Sequence, residues 1–434
     1  MLLSVFTPTH DPAGLADVWR CLLAQTWTDW EWVVVPNGPA AADAAARVGR
    51  MAAGDPRVRI VPAPPDARGV GALKRFACGH CRGDVFVEYD HDDLITDDCL
   101  AAVAEAVGRC PPATFVYSDC VTVDPEGRSC LFAADYGWRY YDWDYGGRRY
   151  TVNAHPDVGP RALAEILYTP DHVRAWTRRA YEDSGGHDPG LPVGDDHDLV
   201  VRTYLSGAHF EHVRRPLYFH RLTPASTSRV RVEEIGRVSR QNRDRYLHAL
   251  VAEWCRRRGL PRFDLGGAHS CPPGYVPVDR ALPEGHPGRG DVFEVLGRLD
   301  DDSVGCFRAF DFLEHVPADR VVGLFNLVYR KLVPGGFFLS HTPAVCDDEG
   351  RCGRGAYQDP DHKSFWSSNN FWYFTDRAYA AYLNGAVACR FQTVRVGNHY
   401  PSDHHRLHLI PYVFWDGMAL KRDDEHYFPG PKRI

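Results

Sequence analysis

The chain has 434 residues, more than one ordinary domain holds and enough for two or three at about 100–200 residues each. It is 44% hydrophobic and 25% charged, a composition that builds packed cores and excludes a disordered chain. Lys and Arg total 50 against 57 Asp and Glu, and the net charge of −7 disfavours a dedicated nucleic-acid binder, since the bulk of the chain repels phosphate.

No run of about 18 apolar residues occurs, so no membrane span is expected. Met1–Phe6 is apolar, but no basic region precedes it and no small-residue cleavage site follows. It reads as a first strand rather than a signal peptide. The 13 Cys are odd in number and scattered from Cys21 to Cys389, which suits free thiols in a reducing, cytoplasmic setting. Cys78-Gly-His-Cys81 has no second pair at zinc spacing and reads as buried cysteines on a helix.

In chain order, Leu3–Thr7 predicts a strand and Leu15–Leu23 a helix. Trp32–Val35 follows as a buried strand, 40–53 as an Ala-rich helix and Val58–Val61 as a strand. Leu73–Cys81 reads as a helix, Val85–Tyr89 as a strand, Asp97–Arg109 as a helix and Thr114–Tyr117 as a strand. This alternation predicts a mostly parallel, doubly wound α/β sheet, with ligands at the carboxyl ends of its strands. Val232–Arg258 is charged and helix-periodic, with Leu247, Leu250, Val251 and Trp254 on one face. It reads as a connecting helix whose basic end is a solvated terminus. A second alternation then begins: strands Phe263–Leu265, Tyr275–Val278 and Val304–Phe310, a helix over Asp319–Leu332, and a strand Phe337–His341. The division is therefore 1–232, a helix over 233–260, and 261–434.

Val85-Phe-Val-Glu-Tyr-Asp90-His-Asp92-Asp93 delivers three carboxylates at the end of a buried strand. Like charges packed together need a cation or a hydrogen-bond network. They either share a hard divalent ion such as Mg²⁺ or Mn²⁺ or form an acidic loop before a helix capped by Thr96 or Asp97. Other motifs stand in order around them: Ser4-Val-Phe-Thr-Pro-Thr9, Trp30-Glu-Trp-Val-Val-Val-Pro-Asn-Gly38, Tyr117-Ser-Asp119, Ser184-Gly-Gly-His187, Gly194-Asp-Asp-His-Asp-Leu199 with Arg202, and His220-Arg221 before Ser226-Thr-Ser228. On these motifs region 1–230 resembles the inverting nucleotide-sugar glycosyltransferases of family 2, with the GT-A fold. The resemblance implies that Thr7, Pro8, Thr9 and Asn37 line the nucleotide pocket. It implies that Asp90 touches the ribose or the metal, that Asp92 binds the metal, and that His220 approaches the diphosphate or metal. The second-strand motif usually begins with an Asp that reads uracil, and Pro36-Asn37 here leaves the base preference open.

Inversion needs a base for the acceptor hydroxyl. Asp195-Asp196 lies where the family places it, Asp196 first and Asp195 as its substitute, while Asp195 and Asp198 also read as helix caps. Residues 136–150 hold Tyr136, Trp138, Tyr140, Tyr141, Trp143, Tyr145 and Tyr150, either a packing loop or part of an acceptor site that stacks on sugars.

In the second alternation, Asp264-Leu-Gly-Gly267 follows a strand and Asp279 ends the next. A glycine turn lets a ligand approach the backbone, and the acid can hold ribose hydroxyls. Gly274-Tyr-Val-Pro-Val-Asp279, Ser303-Val304, Phe310-Asp-Phe-Leu-Glu-His-Val316, Leu332-Val-Pro-Gly-Gly-Phe337, Gln358-Asp-Pro-Asp-His362 and Phe371-Trp-Tyr-Phe-Thr375 complete the set. Region 261–400 thereby resembles the class I, Rossmann-like methyltransferases that use S-adenosylmethionine. Asp264, Gly266, Gly267, Asp279 and Glu314 would bind that cofactor. His315 or His362 would be the base for a hydroxyl acceptor, or Asp359 and His362 would hold a metal.

The expectation is a bifunctional enzyme. It joins sugar transfer from a nucleoside-diphosphate sugar to a glycan or other hydroxyl acceptor with O-methylation of the same glycan. The alternatives are a glycosyltransferase whose second domain only positions the acceptor or a partner, a base- or protein-modifying glycosyltransferase, and a catalytically dead carbohydrate-binding protein. The last would lose the strand-end acids, and they are present.

Overall fold

A computed structural model describes residues 1–67, 69–131, 139–165, 170–224 and 226–421. The chain forms two compact units, Met1–Leu250 and Val251–Ile434.

The first unit runs β1 (Leu3–Thr9), α1 (Leu15–Leu23), β2 (Trp30–Pro36), α2 (Ala41–Met51), β3 (Val58–Ile60), α3 (Val70–Gly79) and β4 (Val85–Glu88). It continues with β5 (Leu94–Ile95), α4 (Cys99–Gly108), β6 (Thr114–Val123), β7 (Arg139–Tyr145), β8 (Arg148–Ala154), α5 (Pro160–Glu165), β9 (Arg174–Thr177), α6 (Arg178–Asp183), α7 (Asp195–Leu205) and β10 (His209–Arg221). A short helix, α8 (Thr227–Val230), precedes α9 (Val232–Arg258). β2 is buried at every position, as a strand covered by helices on both faces must be.

The sheet order is β3-β2-β1-β4-β9-β6-β10-β5. β1 to β4 are parallel, as the alternation predicts, but the sheet as a whole is mixed. β9 lies antiparallel between β4 and β6. This inversion has a geometric consequence. The residues that precede β9 emerge at the edge where β4 and β6 end, beside the acids after β4.

The aromatic segment forms a hairpin rather than an irregular loop. β7 and β8 pair antiparallel across Gly146 and Gly147, whose φ values of +58° and +75° are those a tight primed turn demands. Trp143, Tyr145 and Tyr150 pack on Phe219. Tyr136 and Trp138 lie outside the described residues. α4 also starts later than expected: Asp98, not Thr96 or Asp97, is the capping position. The Asp98 carboxylate accepts the Thr96 hydroxyl at 2.8 Å and pairs with Arg215 at 2.8 Å. The division between the units falls inside α9.

The second unit holds β11 (Arg262–Leu265), β12 (Val276–Val278), α10 (Val292–Gly297), β13 (Val304–Phe310), α11 (Val321–Lys331), β14 (Leu332–Pro343), β15 (Phe391–His399) and β16 (Tyr412–Ala419). Its sheet order is β12-β11-β13-β14-β16-β15. The first four strands are parallel, and β16 and β15 close the edge antiparallel to their neighbours. Phe325, Phe338, Phe371, Phe374 and Trp415 form the centre of its core. All 13 cysteines are free. Among the described residues, no helix is long and apolar enough to cross a membrane.

Candidate active site

The chain leaves β1 toward β2 on one side, and β4 pairs with β1 on the other. Connections diverge at this point, and the gap beyond the carboxyl ends of such strands is where open α/β sheets bind ligands. A cavity of about 1290 Å³ opens there. Pro8, Asn37, Asp90, Asp92, Asp195, Asp196 and His220 all line it, although they come from five separate stretches of sequence. Thr7 and Thr9 are placed elsewhere. The buried Thr7 hydroxyl donates to the Tyr89 carbonyl at 2.8 Å and accepts from Trp32 Nε1 at 3.0 Å. The Thr9 hydroxyl donates to the Asp11 carbonyl at 2.9 Å. Both fix the strand end rather than form the cavity wall.

The three acids after β4 have different fates. Asp93 turns inward, where its oxygens accept the Tyr218 hydroxyl at 2.9 Å and the Arg221 amide at 2.7 Å. Burial, then Asp92 and Asp90 nearby, push it up to about 8 against the pull of His220. Asp90 is also raised, by burial first, with Glu88 and Asp92 adding to it against Lys74. Its Oδ2 stands 3.5 Å from His172 Nε2. Asp92 lines the cavity, and among the described residues no hydrogen bond or ion pair engages its carboxylate.

Asp171 and His172, also on the cavity wall, escaped the sequence reading, as did Lys74 and Arg174. His172 is kept neutral, well below the ordinary imidazole range, by burial and then by Arg174. His220 moves the opposite way. Burial opposes its charge, but Asp93, Asp171, Asp90 and Asp92 raise it. Its buried Nδ1 has no hydrogen-bond partner and lies 4.0 Å from Asp171 Oδ2. Donor atoms of Glu88, Asp90 and His172 lie within 4.8 Å of one another. Glu88 is already held by two cations, so a third has more to gain from Asp90 and Asp92 on the cavity side.

Those two cations begin a buried network. Lys74 Nζ meets Glu88 Oε1 at 2.5 Å, and Arg174 reaches Glu88 and Asp196, each at 2.8 Å. Glu88 and Arg174 are directly opposite across β4 and β9. Burial works against the Lys74 charge, yet Glu88, Asp195 and Asp90 keep it protonated above its usual range. α7 starts at Asp195 behind Gly194, whose φ of +67° suits glycine. Asp195 and Asp196 therefore lie in the first turn, and Asp198 clamps Arg202 at 2.6 Å instead of capping. Asp195 is pushed up to about 7 by burial and by Asp196 and Glu88, against Lys74. For Asp196 burial acts in the same sense, but Arg174 and Lys74 prevail and hold it at about 2. The Asp196 side chain is 14% exposed and that of Asp195 3%, so Asp196 is the more accessible of the two. His187 is fully buried, 3.7 Å from Asp195 Oδ2.

Residues 4–159 match the family description glycosyl transferase family 2. That stretch is a family 2 glycosyltransferase segment. It carries Asp90 and Asp92 and ends before Asp195 and Asp196. An O-antigen biosynthesis protein of Myxococcus xanthus is 28% identical over 232 residues, 52% of this chain and 16% of that protein. An uncharacterized protein of Sinorhizobium fredii is 24% identical over 231 residues, 52% of this chain and 23% of its own length. The chain thus spans less than a quarter of either relative. Among solved structures, residues 1–349 of TarS from S. aureus share 16% identity at a TM-score of 0.41, over 76% of this chain and 87% of that one. A mannosyltransferase of Pyrobaculum calidifontis, solved with GDP-Man and Mn²⁺, shares 16% identity at a TM-score of 0.38, over 57% of this chain and 68% of that one.

Outside the glycosyltransferase segment, the second unit has its own divergence point between β11 and β13. Gly266 has a φ of +81°, and a Cβ on Gly267 would meet Asp264 Oδ2 at 2.7 Å, so both turn positions require glycine. Asp264 is buried and accepts from Arg308 at 2.7 Å. Asp279 accepts the amides of Ala281 at 2.8 Å and Ala268 at 3.4 Å, which ties it to the glycine turn. Glu314 and His315 stand together beyond β13.

Proposed function

We propose that the first unit transfers a sugar from a nucleoside-diphosphate donor to a hydroxyl acceptor with inversion at the anomeric carbon. The observation that carries this reading is the unengaged Asp92 carboxylate and the Asp195-Asp196 pair facing one cavity at the β1/β4 divergence. Asp196 is the base. It is the accessible member of the pair, and Arg174 orients its carboxylate. It takes the acceptor proton as the new sugar–oxygen bond forms and the bond to the diphosphate breaks. Asp90 and Asp92 would hold Mg²⁺ or Mn²⁺, with His220 on the same cavity wall. The free Asp92 oxygens and the unpartnered buried Nδ1 of His220 suit such an ion. When bound, the ion would neutralise charge on the leaving diphosphate. Pro8 and Asn37 lie on the cavity wall for the nucleoside, and the acceptor is a glycan or another hydroxyl compound. Transfer or hydrolysis of a labelled sugar nucleotide tests the assignment. Loss of both in Asp92→Ala and Asp196→Asn is expected, and activity that survives both would overturn it.

A second reading concerns the second unit. The glycine turn, the acid at the end of β12 and the divergence beside them favour binding of S-adenosylmethionine for methyl transfer. Gly266 and Gly267 would let the cofactor approach the backbone, and Asp279 would face its ribose. Calorimetry with S-adenosylmethionine is expected to show binding that Asp279→Ala weakens. A flat titration of the unmodified protein would sink this reading.

A further inference from the structure

The second unit contains a donor cluster whose members the sequence had assigned to separate roles. Glu314, His315 and His362 offer ligand atoms within 4.8 Å of one another. Glu314 and His315 follow β13 at the carboxyl edge of the parallel strands, where ligands collect. His362 belongs to a distant stretch of sequence that is tied down beside them. The Lys363 and Ser364 amides donate to the Glu314 carbonyl at 2.7 and 3.0 Å.

Each donor is held from behind. Glu314 is buried, and its Oε2 accepts the Thr342 hydroxyl at 2.6 Å. His362 donates from Nδ1 to the Ala356 carbonyl at 2.9 Å, which leaves a lone pair on Nε2, with Asp359 Oδ2 3.9 Å from it. His315 Nδ1 lies 3.3 Å from Asp361 Oδ2, which likewise favours a proton on Nδ1 and a lone pair on Nε2. Imidazoles that bind metals are oriented in this way, with the second ring nitrogen on a carbonyl or carboxylate. The two rings meet edge to face at 5.2 Å. A packing contact alone would account for the rings. It would not account for a buried carboxylate beside them, or for both imidazoles being anchored through Nδ1.

We propose that Glu314, His315 and His362 bind one divalent transition-metal ion of the Zn²⁺ or Co²⁺ type. Two imidazoles and one carboxylate suit such ions better than Mg²⁺ or Ca²⁺. Ligands on one tetrahedral ion stand about 3.4 Å apart, a closure that small side-chain rotations supply. Three protein ligands leave a position for water or for a hydroxyl or carboxylate oxygen of a small molecule. As a ligand, His315 has no lone pair left for the proton transfer that the sequence suggested for it.

The test is to strip the full chain with chelator, load it with Co²⁺ alone, desalt it and measure bound cobalt and visible absorption. Intense tetrahedral bands worth one ion in the second unit are expected, whatever cobalt the first unit also holds. His315→Ala and His362→Ala should weaken Co²⁺ at least tenfold and abolish the bands, while Asp92→Asn should leave them in place. His362→Gln keeps a donor for the Ala356 carbonyl and should lose the bands without a change in the melting of the metal-free protein. Bands that survive both histidine substitutions, or that vanish in Asp92→Asn, would overturn the proposal. The outcome is independent of sugar transfer and of S-adenosylmethionine binding.

Discussion

Asp196 of the first unit, part-buried, and Asp264 of the second, buried, are both carboxylates paired with an arginine, but they sit in different electrostatic company. The Arg174 side chain is 3% exposed, and Lys74 reinforces it from the same network. Together the two cations hold Asp196 at about 2 in spite of burial. The Arg308 side chain is 17% exposed, and Asp264 stays above its ordinary range because burial outweighs that one pair. Burying an acid does not by itself make it an acid or a base. The balance of enclosed cations decides which, and the first unit encloses two.

The sharpest way to break this contrast is at Asp196, the proposed base. Asp196→Asn keeps the shape but removes the proposed base, and kcat/KM for sugar transfer is expected to fall about 10²–10⁴-fold. A loss below tenfold would move the base elsewhere, with Asp195 next to be tested. The next largest effect should be on stability. Glu88→Gln leaves Lys74 and Arg174 buried without their shared partner and should cost the first unit about 3–5 kcal/mol in denaturant. Asp264→Asn leaves only a part-exposed Arg308 and should cost the second unit about 1–3 kcal/mol. Equal losses would mean that enclosure of the cations is not what separates the two sites.

Asp195 and Asp196 carry the comparison into pH. The folded-state pKa of Asp195, about 7, lies above its unfolded value of about 3.9, so its contribution to stability is full below that value and is lost as pH rises toward 7. Asp196, held at about 2, contributes above pH ~3.9 and loses that contribution as pH falls through 2. Asp195→Asn should therefore flatten the decline in first-unit stability between pH 4 and 7, relative to the unmodified chain. Urea midpoints across that range check it, and an unchanged slope would count against the shift.

Much of this site was legible in the sequence, and the gaps have physical causes. The parallel strands announced themselves as apolar runs, and the acids after Glu88 stood out because a strand end rarely carries three. Asp171 and His172 did not stand out, because they precede a strand. Only the antiparallel insertion of β9 brings them to the edge where the other strands end. Lys74 and Glu88 each look like ordinary polar positions until the chain folds. One signal was available: Lys74 shares the buried stripe of α3 with Gly71, Ala77 and Cys78, where an unpaired lysine would be costly. Of the three acids after β4, inward-turned Asp93 could not be told from Asp92 by position alone. The pairing of β5 with β10, which brings Tyr218 and Arg221 over it, decides that.

The smallest expected effect lies at the aromatic hairpin, and it separates packing from recognition. Trp143 packs on Tyr145 and Phe219, whereas Tyr145 and Tyr150 also reach the cavity wall. An aromatic pair contact is worth about 0.5–1.5 kcal/mol, and a ring on a sugar face of similar strength converts to roughly a two- to tenfold change in binding. Tyr145→Ala should raise the acceptor KM by that factor with kcat nearly unchanged. Tyr141→Phe removes only the hydroxyl that donates to Asp119 and should leave KM as it was. If Tyr145→Ala lowers the melting temperature but does not move the acceptor KM, the hairpin is a structural flange. The acceptor must then be held from the Asp196 side of the cavity.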